Sequence, residues 1–171
     1  DVALTDVAVR LAADLPLLEL NSVQGRMQAR ASAHGYEVSG DNLALARAQG
    51  ASMRPTSFSV AWQPQTGQTP ERGSASANLV ELEPLAQLAA FLPFPAPLRK
   101  LLEEIAPRGN LLDLRFSWEG ALADDPRFSV KSRFAGAAIN PWHKVPGFSG
   151  VSGSVDATDS RGRITQIGRA H

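Results

Sequence analysis

Few side chains in this sequence have the types and spacing that nucleophilic catalysis requires. The histidines, the usual general bases near neutral pH, are His34, His143 and His171. His143 lies in the segment N-P-W-H-K-V-P-G and is the best candidate, but a hydrolase would also need a serine and an acid beside it. No serine lies in a G-x-S-x-G motif. We interpret His143 as a loop histidine and expect that the chain is not an enzyme; a cleft around His143 would instead support a β-rich hydrolase.

Carboxylates that could bind a metal ion or form a glycosidase pair do not cluster in the sequence. Neither acidic pair near a predicted turn has the spacing of a calcium-binding loop, and the other acids are scattered within strand-like patterns. The chain has no cysteine, so thiolate metal sites and disulfides are excluded. We therefore predict no metal site and no cofactor. The carboxylates considered are Asp124, Asp125, Asp156, Asp159, Glu19, Glu37 and Glu119.

The composition argues against a nucleic-acid-binding protein and against a transmembrane helix. Lys plus Arg and Asp plus Glu both number 17, so the chain lacks the basic excess that phosphate binding needs. Aromatic residues make up 6% of the chain, which is too few for base-stacking surfaces. The most apolar stretch, Leu85–Leu98, is interrupted by Pro93, Pro95 and Pro97 and is too short to cross a bilayer.

Most of the chain shows the alternation of apolar and polar residues that is typical of strands with one buried face. Between these segments lie turn-forming groups of Gly, Asn, Asp and Ser, which predict an antiparallel meander. On the apolar face we expect a row of large side chains. Its predicted members are Phe58, Val60, Trp62, Leu112, Leu114, Phe116, Trp118, Phe128, Val130 and Phe134.

Residues 84–106 depart from this alternation and predict two short amphipathic helices. Leucines recur there at helical spacing, with Pro84 and Pro97 suited to first helical positions, and Pro107 and Gly109 suited to ending the helix. The helices should be stabilised by burying their apolar side against the sheet. The residues expected on that side, as a lid, are Leu88, Leu92, Leu98, Leu101, Leu102 and Ile105.

The predicted fold is therefore mainly β, a curved antiparallel sheet with a helical insertion packed on its apolar face. We expect strands over 2–80, the helical insertion over 84–106 and further strands over 110–167. The chain begins in a strand-like pattern with no signal peptide, so we expect residues 1–171 to be a single segment of a longer protein.

Two interpretations of the apolar face remain open. It could be an ordinary core that the helices close, as in a structural or protein-interaction module. It could also be a hydrophobic groove with the helices as a partial lid, because a wide exposed apolar surface usually marks a binding site. How completely the helices cover the large side chains distinguishes the two.

Several segments together resemble the YhdP proteins, which are large members of the AsmA-like group of Gram-negative bacteria. An apolar helix followed by A-P-R-G matches at Ala106–Gly109, and a strand ending in W-x-G matches at Trp118–Gly120. The pattern P-G-F-S-G-x-S-G matches at Pro146–Gly153. The resemblance covers roughly Val2–Ile164, and its first fifty residues are only generically AsmA-like.

The resemblance implies a periplasmic protein of the cell envelope that is anchored in the inner membrane by an N-terminal helix. It implies a long twisted antiparallel sheet, curled into a groove that moves phospholipid between the inner and outer membranes without catalytic residues. We expect this chain to be one segment of such a protein, without the anchor and most of that length. We therefore expect its partners to be phospholipid acyl chains, with both membranes reached through other parts of the parent protein.

Overall fold

The chain folds into a single antiparallel sheet. A computed structural model describes residues 1–10, 13–47, 52–92, 94, 96–120 and 126–166, with only the backbone described for Val2, Ile164 and Gln166. The described residues form nine strands, paired in the order of the sequence. These are β1 (Val2–Val9), β2 (Leu18–Ser32), β3 (Gly35–Ala46), β4 (Ser52–Gln63), β5 (Arg72–Glu81), β6 (Arg108–Glu119), β7 (Arg127–Ile139), β8 (Phe148–Thr158) and β9 (Gly162–Gln166).

The helical insertion lies between β5 and β6, as predicted. It consists of α1 (Leu82–Leu88), a 3-10 turn (Ala89–Phe91) and α2 (Ala96–Ile105). The first helix begins at Leu82 rather than at Pro84, which lies in the first turn, where a missing N–H breaks no intrahelical bond. The predicted fold class is confirmed: the sheet is mainly antiparallel, open and accompanied by two short helices. Residue 167, the last of the predicted strand region, lies outside the described residues.

The strands of the sheet end at two opposite edges, which we call the helix end and the far end. The helical insertion adjoins only the helix end. At the helix end, β5 leads into α1, and the β7–β8 connection lies beside α2. At the far end, the connections are β2–β3, β4–β5, β6–β7 and β8–β9. Trp62 and Trp118 lie near this far end, each just before the last residue of its strand.

The register places apolar and polar residues on opposite faces. Directly opposite residues in an antiparallel sheet share a face. One row of opposite residues that crosses the sheet is entirely apolar: Val38, Val60, Ala75, Phe116, Val130 and Ala157. The adjacent row, displaced by one residue on each strand, is entirely polar: Ser39, Ser59, Ser76, Arg115, Lys131 and Asp156. The sheet is therefore amphipathic across these six strands.

A compact core lies at the helix end, and we call it the covered core. Its members are Leu18, Leu20, Val23, Leu43 and Leu88. Leu88 comes from α1 and is 3% exposed, and Phe91 and Leu92 pack against the same cluster. The first insertion helix thus covers the apolar side chains of β2 and β3.

The two central strands separate toward the helix end. β4 pairs with β5 through the backbone only over Phe58–Gln63. Beyond that point side chains join them: Thr56 Oγ1 donates to the carbonyl oxygen of Leu79 at 2.6 Å, and Arg54 donates to Glu81 through its backbone N–H and its Nε, both at 2.7 Å. Thr56 is buried, so its hydroxyl satisfies a carbonyl that has no strand partner there.

Candidate functional site

The apolar face of the sheet continues beyond the covered core toward the far end, where it carries large side chains. We call this surface the open face, and it is the best candidate for a functional surface. We define the open face as Tyr36, Val38, Phe58, Val60, Trp62, Leu114, Phe116, Trp118, Phe128 and Val130. Val60 is 38% exposed and Phe128 is 37% exposed, although both are strand residues on an apolar face. The insertion helices therefore leave this part of the open face exposed.

Aromatic rings on the open face pack on one another rather than into an enclosed interior. The Phe116 and Trp118 rings stack with centroids 5.6 Å apart, and Phe116 lies 6.5 Å from Phe128. Tyr36 stacks on Trp62 at 5.7 Å. These contacts group the rings on one apolar face of the sheet.

Two glycines let aromatic rings lie directly on the backbone of the neighbouring strand. A Cβ atom on Gly73 would lie 2.1 Å from Cζ2 of Trp118, and one on Gly40 would lie 2.4 Å from Cε1 of Phe58. Any side chain larger than glycine would push either ring away from the sheet. Phe58 also contacts the covered core and so joins the two apolar regions.

The predicted lid residues do not all contribute equally. Leu88 belongs to the covered core, and Leu92 packs against it. On α2, Leu98 is 39% exposed, and none of the described residues of that helix is buried. The remaining lid residues, Leu101, Leu102 and Ile105, are half-buried.

The second helix is held mainly by its neighbours at the helix end. α2 lies against α1 and the 3-10 turn, and the backbone N–H of Asn140 donates to the carbonyl oxygen of Ile105 at 2.7 Å. Trp142 Nε1 donates to Glu104 Oε2 at 2.8 Å. These polar contacts tie α2 to the β7–β8 connection rather than to the open face.

A bulge in β6 changes the position of two predicted face residues. The register shifts between Leu112 and Arg115, and Asp113 within the shift has a φ of 52°. As a result Leu112 lies opposite Arg133, while Leu111 lies opposite Phe134. The register therefore does not bring Leu112 beside Phe134, although both are half-buried.

Sequence reasoning missed Tyr36 and Val38 on β3. β3 begins at Gly35, and Tyr36 is its second residue. Tyr36 is 56% exposed and stacks on Trp62. The alternation of Tyr36, Val38 and Gly40 with polar residues was the signal that could have placed them on the open face.

The polar face carries paired charges. Lys131 Nζ lies 3.1 Å from Asp156 Oδ2, and the Arg133 guanidinium binds Asp113 beside it. Because these pairs are about half exposed, they contribute little stability and mainly keep this face hydrated. The two faces therefore differ chemically: the polar face carries paired charges, and the open face carries apolar side chains.

The residues considered for catalysis are not assembled into a site. His143 is exposed at the first turn position of a two-residue hairpin, with a φ of 48°, and its ring meets the Trp142 ring edge-on at 4.6 Å. His34 is exposed in the β2–β3 turn. Among the described residues no group of three His, Asp or Glu side chains could hold a metal ion. His171, Asp124 and Asp125 lie outside the described residues.

Comparison with known proteins connects this geometry to a family. The family model described as YhdP protein matches residues 1–167. No curated protein and no solved structure gives a match. In the part of the chain that the structure describes, no helix is both long enough and apolar enough to cross a membrane.

Proposed function

The chain belongs to the YhdP family, a bacterial envelope family, and we propose that its open face carries the acyl chains of phospholipids. In this proposal the chain is a segment of a periplasmic protein whose parent is anchored in the inner membrane. The parent moves phospholipid between the inner and outer membranes along a continuous hydrophobic surface. The proposal involves no catalytic step, cofactor, metal or nucleic acid.

The exposure of large side chains on the open face is the observation that carries the proposal. Val60, Phe128 and Tyr36 are between 37% and 56% exposed on a face that the register makes apolar. A protein that used this face only as a core would bury such side chains, because each square ångström of apolar surface left in water costs about 25 cal/mol. An acyl chain lying on the open face would recover that free energy.

The energetics suit movement as well as binding. Each methylene group buried against protein contributes roughly 0.8 kcal/mol, and the contribution depends little on where along the apolar rows the chain lies. Apolar contacts are non-directional, so a chain can slide from one strand to the next without breaking a strong bond. The absence of charged side chains from the described rows of the open face is consistent with sliding.

The sheet is wide enough to hold a whole acyl chain that runs across the strands. Nine strands at a spacing of about 4.8 Å span about 38 Å. Half of the hydrocarbon core of a bilayer, the depth that one acyl chain fills, is about 15 Å. A chain bound across the sheet therefore need not extend past either edge strand.

The alternative is a structural or protein-interaction module of an envelope protein. The covered core favours it at the helix end, where Leu88 closes over β2 and β3. At the far end the exposure of Val60 and Phe128 favours the lipid-carrying function instead.

Photo-crosslinking in living cells tests the proposal. A photoreactive amino acid would replace Val60 or Phe128, which are exposed on the open face, and the matched controls would replace Ser59 or Ser129, their neighbours on the polar face. We expect phospholipid to be captured at Val60 and Phe128 and not at the two serines. Capture at none of the four positions, in a folded and abundant protein, would contradict the proposal. Capture of a protein at the open face would support the interaction module.

A further inference from the structure

Two connections of the sheet contain hairpins of the same backbone form. The β4–β5 connection at the far end contains a hairpin at Thr66–Thr69, which we call the far-end tip. The β7–β8 connection at the helix end contains a hairpin at Trp142–Val145, which we call the helix-end tip. In each tip the first and last residues exchange both backbone hydrogen bonds, at 3.1 and 3.0 Å in the far-end tip and at 3.0 and 2.8 Å in the helix-end tip. The two tips therefore differ mainly in their side chains.

The side chains of the two tips differ in polarity. The far-end tip reads T-G-Q-T, which is polar and uncharged, and its residues are all exposed. The helix-end tip reads W-H-K-V: Val145 is 45% exposed, and His143 and Lys144 are exposed beside it. Phe148, the first residue of β8, is 43% exposed. Only the helix-end tip therefore presents apolar side chains and a cation to solvent.

The turn geometry does not account for these residues. The first turn position is left-handed in both tips, with a φ of 59° at Gly67 and of 48° at His143. Glycine adopts this conformation without strain, whereas a residue with a side chain is strained in it. A strained residue kept in an exposed loop is a reason to look for a function there.

The helix-end tip is tied to α2 and is ordered without a ligand. Trp142 Nε1 donates to Glu104 Oε2 at 2.8 Å. Trp142 and Val145 lie directly opposite each other and so share one face of the hairpin. Among the described residues no ion pair includes Lys144, so its ammonium group can bind an external anion. A tip that is ordered in advance loses little conformational entropy when it binds.

We propose that the helix-end tip contacts the surface of a phospholipid bilayer that contains anionic lipid. The interface of such a bilayer offers hydrocarbon to Val145 and phosphate groups to Lys144. The Trp142 indole, with an apolar ring and one polar N–H, is a side chain that favours this boundary. The inference goes beyond the proposed function, because it concerns the surface of a membrane and not a lipid held on the open face.

The size of the helix-end tip favours a bilayer over a folded protein as its partner. A standard protein interface buries about 800 Å² on each partner and uses roughly 20–30 residues. The tip has only the residues from Trp142 to Val145. Lipids rearrange around a small apolar projection, so a bilayer can accept it without a matching surface. Because few apolar groups and one cation take part, the contact is reversible and is weakened by salt.

A dye at each tip tests the contact. The chain has no cysteine, so Val145→Cys creates a single labelling site, and Thr69→Cys creates the matched control on the far-end tip. The purified chain, with an environment-sensitive dye at one site, would be mixed with vesicles of phosphatidylcholine and phosphatidylglycerol. We expect the emission of the dye at position 145 to shift to shorter wavelength and that of the dye at position 69 to stay unchanged.

The charge of the tip is tested in the unlabelled chain by sedimentation with vesicles. Lys144→Gln should bind the vesicles that contain phosphatidylglycerol about fivefold more weakly, the typical effect of one lysine near an anionic surface. The difference from the wild type should disappear with vesicles of phosphatidylcholine alone. Gln68→Asn, at the corresponding turn position of the far-end tip, is the control and should bind as the wild type does.

The outcomes separate this inference from the proposed function. An unchanged emission at position 145, or equal shifts at both positions, would overturn the bilayer contact. The proposed function would stand, since crosslinking at Val60 and Phe128 tests it independently. If Val145→Cys does not fold, Lys144→Gln decides, because an unchanged affinity for the anionic vesicles would also overturn the contact. Capture of a protein and not of lipid by a photoreactive residue at position 144 in cells would assign the tip to a protein partner instead.

Discussion

Leu88 on α1 and Val60 on β4 are both aliphatic residues of the apolar side of the molecule, yet Leu88 is 3% exposed and Val60 is 38% exposed. The difference separates the covered core from the open face. At the helix end the chain brings a helix over β2 and β3, whereas the described residues of the far-end connections form no helix. The same alternating pattern thus serves stability in one region and an exposed surface in the other.

The comparison suggests that the two regions have different tasks. The covered core supplies the burial that a single-layer sheet otherwise lacks, since none of the described side chains is completely enclosed. The open face is then free to remain uncovered. Variants that affect one region but not the other would sharpen this division, and the four below are ordered by expected effect.

Leu88→Ala should have the largest effect on stability. Removing a core leucine leaves a cavity and typically costs 2–5 kcal/mol, so we expect a loss of about 3 kcal/mol in the free energy of unfolding. Leu98→Ala on α2, where the leucine is 39% exposed, should cost less than about 1 kcal/mol. Urea unfolding monitored by circular dichroism measures both. Equal losses would mean that α2 contributes as much to the core as α1.

Thr56→Val tests the junction between the two regions. There, side chains rather than backbone pairing join β4 to β5. The variant keeps the shape of the side chain but leaves the carbonyl oxygen of Leu79 without its 2.6 Å donor. We expect a loss of about 2 kcal/mol, because a buried polar group without a partner is costly. Thr165→Val on the exposed edge strand β9 is the matched control and should change stability by less than about 0.5 kcal/mol. Similar values for the two variants would show that side chains do not hold this junction.

Gly73→Ala should disturb the open face and leave the covered core intact. The new Cβ would lie 2.1 Å from Cζ2 of Trp118, so the indole must move, and we expect a cost of about 1 kcal/mol. The indole N–H resonance of Trp118 should shift, while the resonances of Leu88 should not. Gly162→Ala is the control, since its Cβ would make only an ordinary 3.5 Å contact with Ala157. An unchanged Trp118 resonance would mean that the ring does not lie over Gly73.

Glu104→Gln should have the smallest effect on global stability and a local effect on α2. The amide still accepts from Trp142 but loses the charge that strengthens that bond and attracts Lys100, 3.8 Å away. We expect less than about 0.5 kcal/mol in global unfolding and a two- to threefold faster amide hydrogen exchange in α2, consistent with the modest strength of exposed charged contacts. Glu103→Gln, one residue earlier on the same helix, is the control. Unchanged exchange would show that the β7–β8 connection does not hold α2.

Much of the fold could be predicted from the sequence because alternation is a local signal. In β4, Phe58, Val60 and Trp62 alternate with the smaller Ser59 and Ala61, and the register places the three large residues on one face. The helical spacing of the leucines in residues 84–106 likewise predicted the insertion. Both patterns depend only on the geometry of a strand or a helix, so no knowledge of distant residues was needed.

Other features depend on contacts that no local pattern contains. The shift at Asp113, which sets Leu112 opposite Arg133, arises from the pairing of β6 with β7. The covered core joins α1 to residues of β2 and β3 that are more than forty positions away in the sequence. The amphipathic pattern of α2 resembled that of α1, but only the packing distinguishes a buried helix from one held by its neighbours.

The sequence by itself determined that this protein is an amphipathic antiparallel sheet with a helical insertion, because residue periodicity dictates which side chains share a face. The tertiary structure alone decided how that face is divided. A short insertion can lie over only part of a nine-strand sheet, and the path of the chain after β5 places it over the helix end. Apolar residues nearer the far end, such as Tyr36, Val60 and Phe128, stay exposed.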